Sequence, residues 1–353
     1  MLSLFEPQKD ILFLSVNRKE MGSGLKKAGT TFFLTAALAL MLSVGAAAAE
    51  LIPGGMTVGL ELRTDGVMVS AITDVETAAG SVSPAGDAGL RPGDCIVALN
   101  GQEIHSGDDF AKCIDGLNSG SLSVTLRRNG ETHELSITPA LSKGGAWQLG
   151  LRLRDGASGI GTITYYDPDS GHYGALGHGV NDAESGMLLP AAEGTVSPSV
   201  IVDVVPGKAG TPGELCGIFD PGETVGNVEL NSPFGIFGSL EQFSSQADVV
   251  ETAGADEVHT GPAVILSNIQ GTDVEAYDIE LTRVNCSARD GKSFVLKITD
   301  QRLLDATGGV ICGMSGSPIL QDGKLVGAVT HVLVNDPARG YGIFIDKMLE
   351  TAA

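Results

Sequence analysis

From residue 51 onward the chain is built of short apolar runs broken by Gly, Asn-Gly and Pro-Gly-Asp. Alternation of apolar and polar positions at 57–62 and 67–72 predicts two strands. Further runs at 159–166, 200–205, 224–229, 263–269, 277–284, 294–299 and 325–334 predict more, each bounded by turn-forming residues. A helical period occurs at 107–117, where Phe110, Cys113, Ile114 and Leu117 share one face behind Ser106 as N-cap, and again briefly at 345–349. The pattern predicts a mainly β molecule, with a pair of antiparallel barrels or a closed sandwich in its second part.

Composition narrows the class. At 353 residues there is room for two domains with real cores. Only 18% of residues are charged, Gly occurs 49 times and Trp once, as suits many turns and thin strands. The net charge of −21 argues against nucleic acid or an anionic lipid surface as partner, because both repel an acidic body. Five cysteines at 95, 113, 216, 286 and 312 show no metal-binding spacing, so no metal site is expected; free thiols fit better than a disulfide framework.

Residues 22–49 read as an export segment. Lys26 and Lys27 form the basic region, 31–44 the apolar region, and Ala46 to Ala49 offer small residues for cleavage. Met21 is an alternative start, and retention of residues 26–45 as an anchor is the alternative to cleavage.

Residues 51–140 read as one module. Ser83-Pro84-Ala85-Gly86 leads into Gly89-Leu90-Arg91-Pro92-Gly93-Asp94, then a buried strand ending in Asn100-Gly101, then the helix at 107–117 and two strands at 122–127 and 134–138. This resembles a PDZ domain. The resemblance implies that an extended peptide docks beside a strand and the helix, its carboxylate held by a glycine loop. The matching loop here is 54–60, with Gly54, Gly55, Gly59 and Leu60 as candidate peptide-binding residues.

Residues 145–353 carry the chemistry. Gly313-Met314-Ser315-Gly316-Ser317-Pro318, set between apolar strands, places a serine in a glycine turn as chymotrypsin-like barrels do. The N–H groups of Gly313 and Ser315 are candidates to hold an oxyanion. Among the six histidines, His178 lies between glycines and precedes Ser315 by a long interval, which suits a general base in the two-barrel order; His172 and His259 are weaker rivals. His331, on the strand after the serine turn, reads as subsite or core.

Residues 173–180, 297–301 and 308–337, in the order export segment, PDZ module, peptidase domain, resemble the SpoIVB (stage IV sporulation protein B) serine peptidases. The resemblance implies a trypsin-like double β-barrel, Ser315 as nucleophile, His178 as base and Asp300 as acid, with no metal or organic cofactor. On the residues alone Asp203 competes with Asp300, whose other role is a helix N-cap before Gln301. It also implies the biology: export across the forespore inner membrane into the intermembrane space, self-cleavage, and cleavage of a membrane-bound regulator so that a late mother-cell sigma factor matures. A general quality-control PDZ protease and a non-catalytic PDZ scaffold are the alternatives.

Overall fold

The computed structural model describes residues 48–352 except 242 and 244–246. All but the last two residues of the export segment fall outside that range. Among the described residues no helix is long and apolar enough to cross a membrane.

Strands dominate, as the alternation predicts. In the first half the main ones are β1 (Glu50–Pro53), β2 (Thr57–Ile72), β3 (Cys95–Leu99), β4 (Leu122–Arg128), β5 (Glu131–Ile137), β6 (Leu151–Tyr166), β7 (His172–Ala175), β8 (Ala191–Val205), β9 (Glu214–Phe219) and β10 (Gly235–Ser239). β8, β2, β6, β7 and β10 lie side by side, and the bridge between Gly226 and Leu240 ties the ends of that curved sheet together. Leu60, Leu62, Ile163, Tyr173, Val196 and Ile236 fill its interior. Each such aliphatic side chain contributes about 1.5–3 kcal/mol by leaving water.

The second half closes into a barrel of six strands: β11 (Gly261–Gln270), β12 (Asp273–Val284), β13 (Phe294–Ile298), β16 (Arg339–Phe344), β15 (Lys324–Val332) and β14 (Pro318–Gln321). Its core holds Ile265, Leu281, Phe294, Leu296, Met314 and Val329. Helix α3 (Gln301–Thr307) follows β13, and α4 (Ile345–Ala352) ends the chain.

The PDZ-like unit is an excursion from the first barrel. β2 pairs with β6 from one end of β2 to the other, from Thr57↔Thr162 to Ile72↔Leu151. Their near ends, 57–64 and 156–162, belong to the barrel; their far ends belong to the PDZ-like unit with β3, β4, β5, α1 (Pro84–Asp87) and α2 (Gly107–Ile114). That unit's core joins Val67, Val69, Ile96, Val124 and Leu126 to Leu149, with Leu151 and Leu153 packed against it. The module expected at 51–140 therefore needs residues up to 153, and the barrel needs residues 57–64.

The same topology overturns the expected peptide loop. The two strands expected at 57–62 and 67–72 are one strand, and at 58–64 it is bonded on one edge to β6 and on the other to β8. Gly54 packs on Ile163 and Gly55 on Leu266, while Leu60 is buried in the barrel core. A Cβ at Gly59 would lie 2.1 Å from the ring of Phe219. Gly54, Gly55, Gly59 and Leu60 are barrel packing residues, with no free edge for a peptide.

Candidate active site

Ser315 lies half-buried in the turn that leads into β14. The turn is pinned to β15 by Gly316 N–H donating to Val329 O (2.8 Å) and Val329 N–H donating to Ser317 O (2.9 Å). Gly316 is required there: a Cβ would fall 2.0 Å from Thr162 O. The Ser315 hydroxyl donates to Thr330 O at 2.8 Å. Among the described residues, the N–H groups of Gly313 and Ser315 have no acceptor.

His178 comes off the end of β7 through Leu176 and Gly177, both in the left-handed region. Leu176 N–H donates to Thr162 O (3.1 Å), and Gly177 sits against Thr330 and Ala328 of β15. The His178 loop and the serine turn are thus seated on the same two residues, Thr162 and Thr330. Nδ1 of His178 lies 2.9 Å from Gly179 O. A carbonyl only accepts, so Nδ1 carries the proton and Nε2 keeps its lone pair. Burial pushes this imidazole below its ordinary pKa, against the opposing bond to Gly179.

His331 packs against His178 with ring centroids 4.9 Å apart and the rings tilted by 39°. Burial first, and then the neighbouring charges of His178 and Lys292, push its imidazole down to about 4. The two rings, with Val180, Met187, Leu188 and Lys292, line a cleft of about 790 Å³. His331 is therefore part of the site wall.

The carboxylates expected beside His178 are elsewhere. Asp300 caps α3, accepting from Arg302 N–H (2.9 Å), and its other oxygen takes the Arg302 guanidinium at 2.8 Å and the Asp278 N–H. Arg302 holds its carboxyl below the usual range. Asp203 is exposed on β8 and accepts only from Val204 N–H. No carboxylate reaches the His178 ring among the described residues; the orienting group is the Gly179 carbonyl. His259 is exposed and paired with Asp322, and His172 is exposed on β7. All five cysteines are free thiols, and no cluster of metal-ligating side chains occurs among the described residues.

An open strand edge exists away from the expected loop. Residues 151–155 of β6 pair with β2 on one side only. Helix α2 lies beside them, Gly107 N–H donating to Asp155 Oδ2 at 2.9 Å. Leu151, Leu153 and Cys113 are half-buried there, and the N–H groups of Leu149 and Gly150 have no acceptor among the described residues. The sequence carries the signal twice, as Val58-Gly59-Leu60-Glu61-Leu62-Arg63 and Leu149-Gly150-Leu151-Arg152-Leu153-Arg154. Only the second copy keeps a free edge.

Comparison with known proteins places the two parts of the chain in known families. Residues 77–128 match the family model for a PDZ domain. A solved PDZ domain of an SdrC-like protein from Listeria monocytogenes is 25% identical over 25% of this chain and 87% of that one, at a TM-score of 0.21. Proteins of Brucella suis and Brucella melitensis that carry the name zinc metalloprotease are 31% identical over 80 residues, 23% of this chain. The chain spans about a fifth of the length of those relatives. Residues 145–349, more than half of the chain and all of the serine and histidine site, match the family model for SpoIVB peptidase S55. The chain belongs to the SpoIVB peptidase S55 family and carries a PDZ domain.

Proposed function

We propose that Ser315 is the nucleophile, His178 the general base, and the N–H groups of Gly313 and Ser315 the oxyanion site of an exported endopeptidase in the sporulation programme. One observation carries the reading: a half-buried serine between two N–H groups without acceptors, on a turn that shares its supports with an imidazole whose Nε2 is free. When substrate enters, the Ser315 hydroxyl leaves Thr330 O and gives its proton to Nε2 of His178. Its oxygen attacks the scissile carbonyl, and the two N–H groups receive the negative charge. The imidazolium returns the proton to the leaving amine, and water then repeats the sequence on the acyl-enzyme. Gly179 O holds the ring in the working tautomer throughout.

The substrate is a protein, as the PDZ domain implies. We take it to be a membrane-bound regulator whose cleavage releases maturation of a late mother-cell sigma factor, preceded by self-cleavage. The export segment at 22–49 and the family support that setting. The test is Ser315→Ala in the full chain. Self-cleavage, labelling by a fluorophosphonate and sigma-factor maturation in the native host should all stop, with peptide turnover falling at least about 10³-fold. Self-cleavage that continues in this variant removes Ser315 from the mechanism.

A further inference from the structure

Four successive peptide carbonyls in the nucleophile turn each accept one hydrogen bond. Cys312 O accepts from Leu215 N–H (2.9 Å) and Met314 O from Ser317 N–H (3.0 Å). These bonds fix the peptide planes whose opposite edges carry the Gly313 and Ser315 N–H groups. The other two carbonyls are held by one residue of the first barrel. Gly313 O accepts from Thr162 Oγ1 at 2.7 Å, and Ser315 O accepts from Thr162 N–H at 3.2 Å.

We infer that Thr162 is a positioning residue for the oxyanion site, an inference that rests on the assignment of Ser315, Gly313 and His178 given above. The Gly313–Met314 plane lies between the two N–H donors, so its orientation sets the angle at which they converge. Gly313 has φ +96° and no side chain to restrain it. Its plane is held on one edge by Met314 N–H donating to Ile311 O (3.2 Å), and on the other, from outside the second barrel, by the hydroxyl of a fully buried residue. Thr162 O in turn accepts Leu176 N–H at the root of the His178 loop. One residue therefore sets the register between donors, nucleophile and base. The Thr162 hydroxyl reaches no other acceptor among the described residues, and the neighbouring Thr164 hydroxyl, equally buried, finds none at all.

The test uses the full chain with Thr162→Val, which keeps shape and the backbone N–H but removes the hydroxyl, and Thr162→Ser, which restores it. Turnover of a short peptide is measured alongside inhibition by a peptide aldehyde, whose hemiacetal oxygen occupies the oxyanion site. Deleting a direct oxyanion donor costs about 10²–10³ in kcat. Loosening the plane between two donors is expected to cost about 10- to 100-fold, with KM unchanged and aldehyde affinity weakened in parallel. Thr162→Ser should recover to within about threefold, and melting temperature should not track the loss. If the valine variant does not fold, Thr162→Ala removes the same hydroxyl without adding a methyl contact and is read in the same way. Normal kcat and aldehyde affinity in a folded variant lacking the hydroxyl, with Ser315→Ala inactive, overturns the role of Thr162 alone. Activity that survives in Ser315→Ala overturns the nucleophile assignment and the inference with it.

Discussion

The base role proposed for His178 depends on its burial. Burial disfavours the imidazolium, so the base form extends below the ordinary histidine range of about 6.5. kcat/KM should accordingly stay level through neutrality and fall only as pH drops below that value. An acid limb centred above 7 would mean a charged partner that this geometry lacks. The same shift has a stability sign. Folded pKa values of His178 and His331 lie below their unfolded ones, so the unfolded chain takes up protons first as pH falls from about 6.5 towards about 4. Stability present above that window is lost within it, and His331→Gln should make thermal melting less steeply pH-dependent there. Asp300 separates two roles in one residue. Asn caps helices as well as Asp does, whereas Ala costs about 1 kcal/mol. Asp300→Asn should therefore keep turnover and lose only the stability of the Arg302 ion pair, whereas Asp300→Ala should lower both turnover and melting temperature by loosening α3, which leads into the serine turn. A folded Asp300→Asn with turnover reduced about 10⁴-fold would return the carboxylate to the imidazole.

At the scale of elements, two tryptophan substitutions tell the two apolar-Gly-apolar segments apart. Gly59→Trp drives a ring into Phe219 inside the barrel and should lower melting temperature sharply, with loss of activity on every substrate. Cys113→Trp fills the space beside the open edge at 151–155, and should slow cleavage of a protein substrate while sparing a short peptide. Equal losses on both substrates would show that the edge supports the catalytic body rather than docking. The contrast explains what was legible in the sequence. Period-two alternation identified the longer strands but not β7, β9, β10 or β16, and Ser315, Gly313 and His178 stood out in the sequence because glycine neighbours mark positions where backbone must approach closely. Strand partners were not readable: Val58–Arg63 and Leu149–Arg154 have the same local pattern, and only long-range pairing with β8 closes the first. Asp300 misled for a related reason, since an acid before Gln301 looks the same whether it faces a histidine or its own helix. Thr162 gave no signal, because its acceptors lie in another barrel.

For the whole molecule, the decisive relation is that the PDZ domain and the first barrel share two strands. Deleting residues 51–140 would remove β2 from between β6 and β8 and unzip the barrel that supports His178. Arg154 and Ser70 on the shared strands also hold the buried carboxylate of Asp182 at 2.8 and 3.1 Å, within the loop that follows His178. Met187 of that loop packs over Gly93 of the PDZ domain and also lines the cleft beside His178 and His331. The peptide edge and the serine turn are two stations on one strand, β6, at 151–155 and at Thr162.

Seen from the barrel, everything between Thr64 and Asp155 is the loop of a β-hairpin. A hairpin needs only two residues to turn, and the entropy of closing a longer loop grows by only about 0.6 kcal/mol per doubling of its length. A domain can thus occupy that loop at little cost to its host, entering and leaving at adjacent points. Replacing residues 65–154 by Asn-Gly, with Asp182→Asn because its partners leave, should yield a smaller peptidase that still cleaves short peptides, less stable by the packing of Met68. The excised segment carries its own core and neighbouring ends, so it should fold when grafted into the tip of an unrelated hairpin.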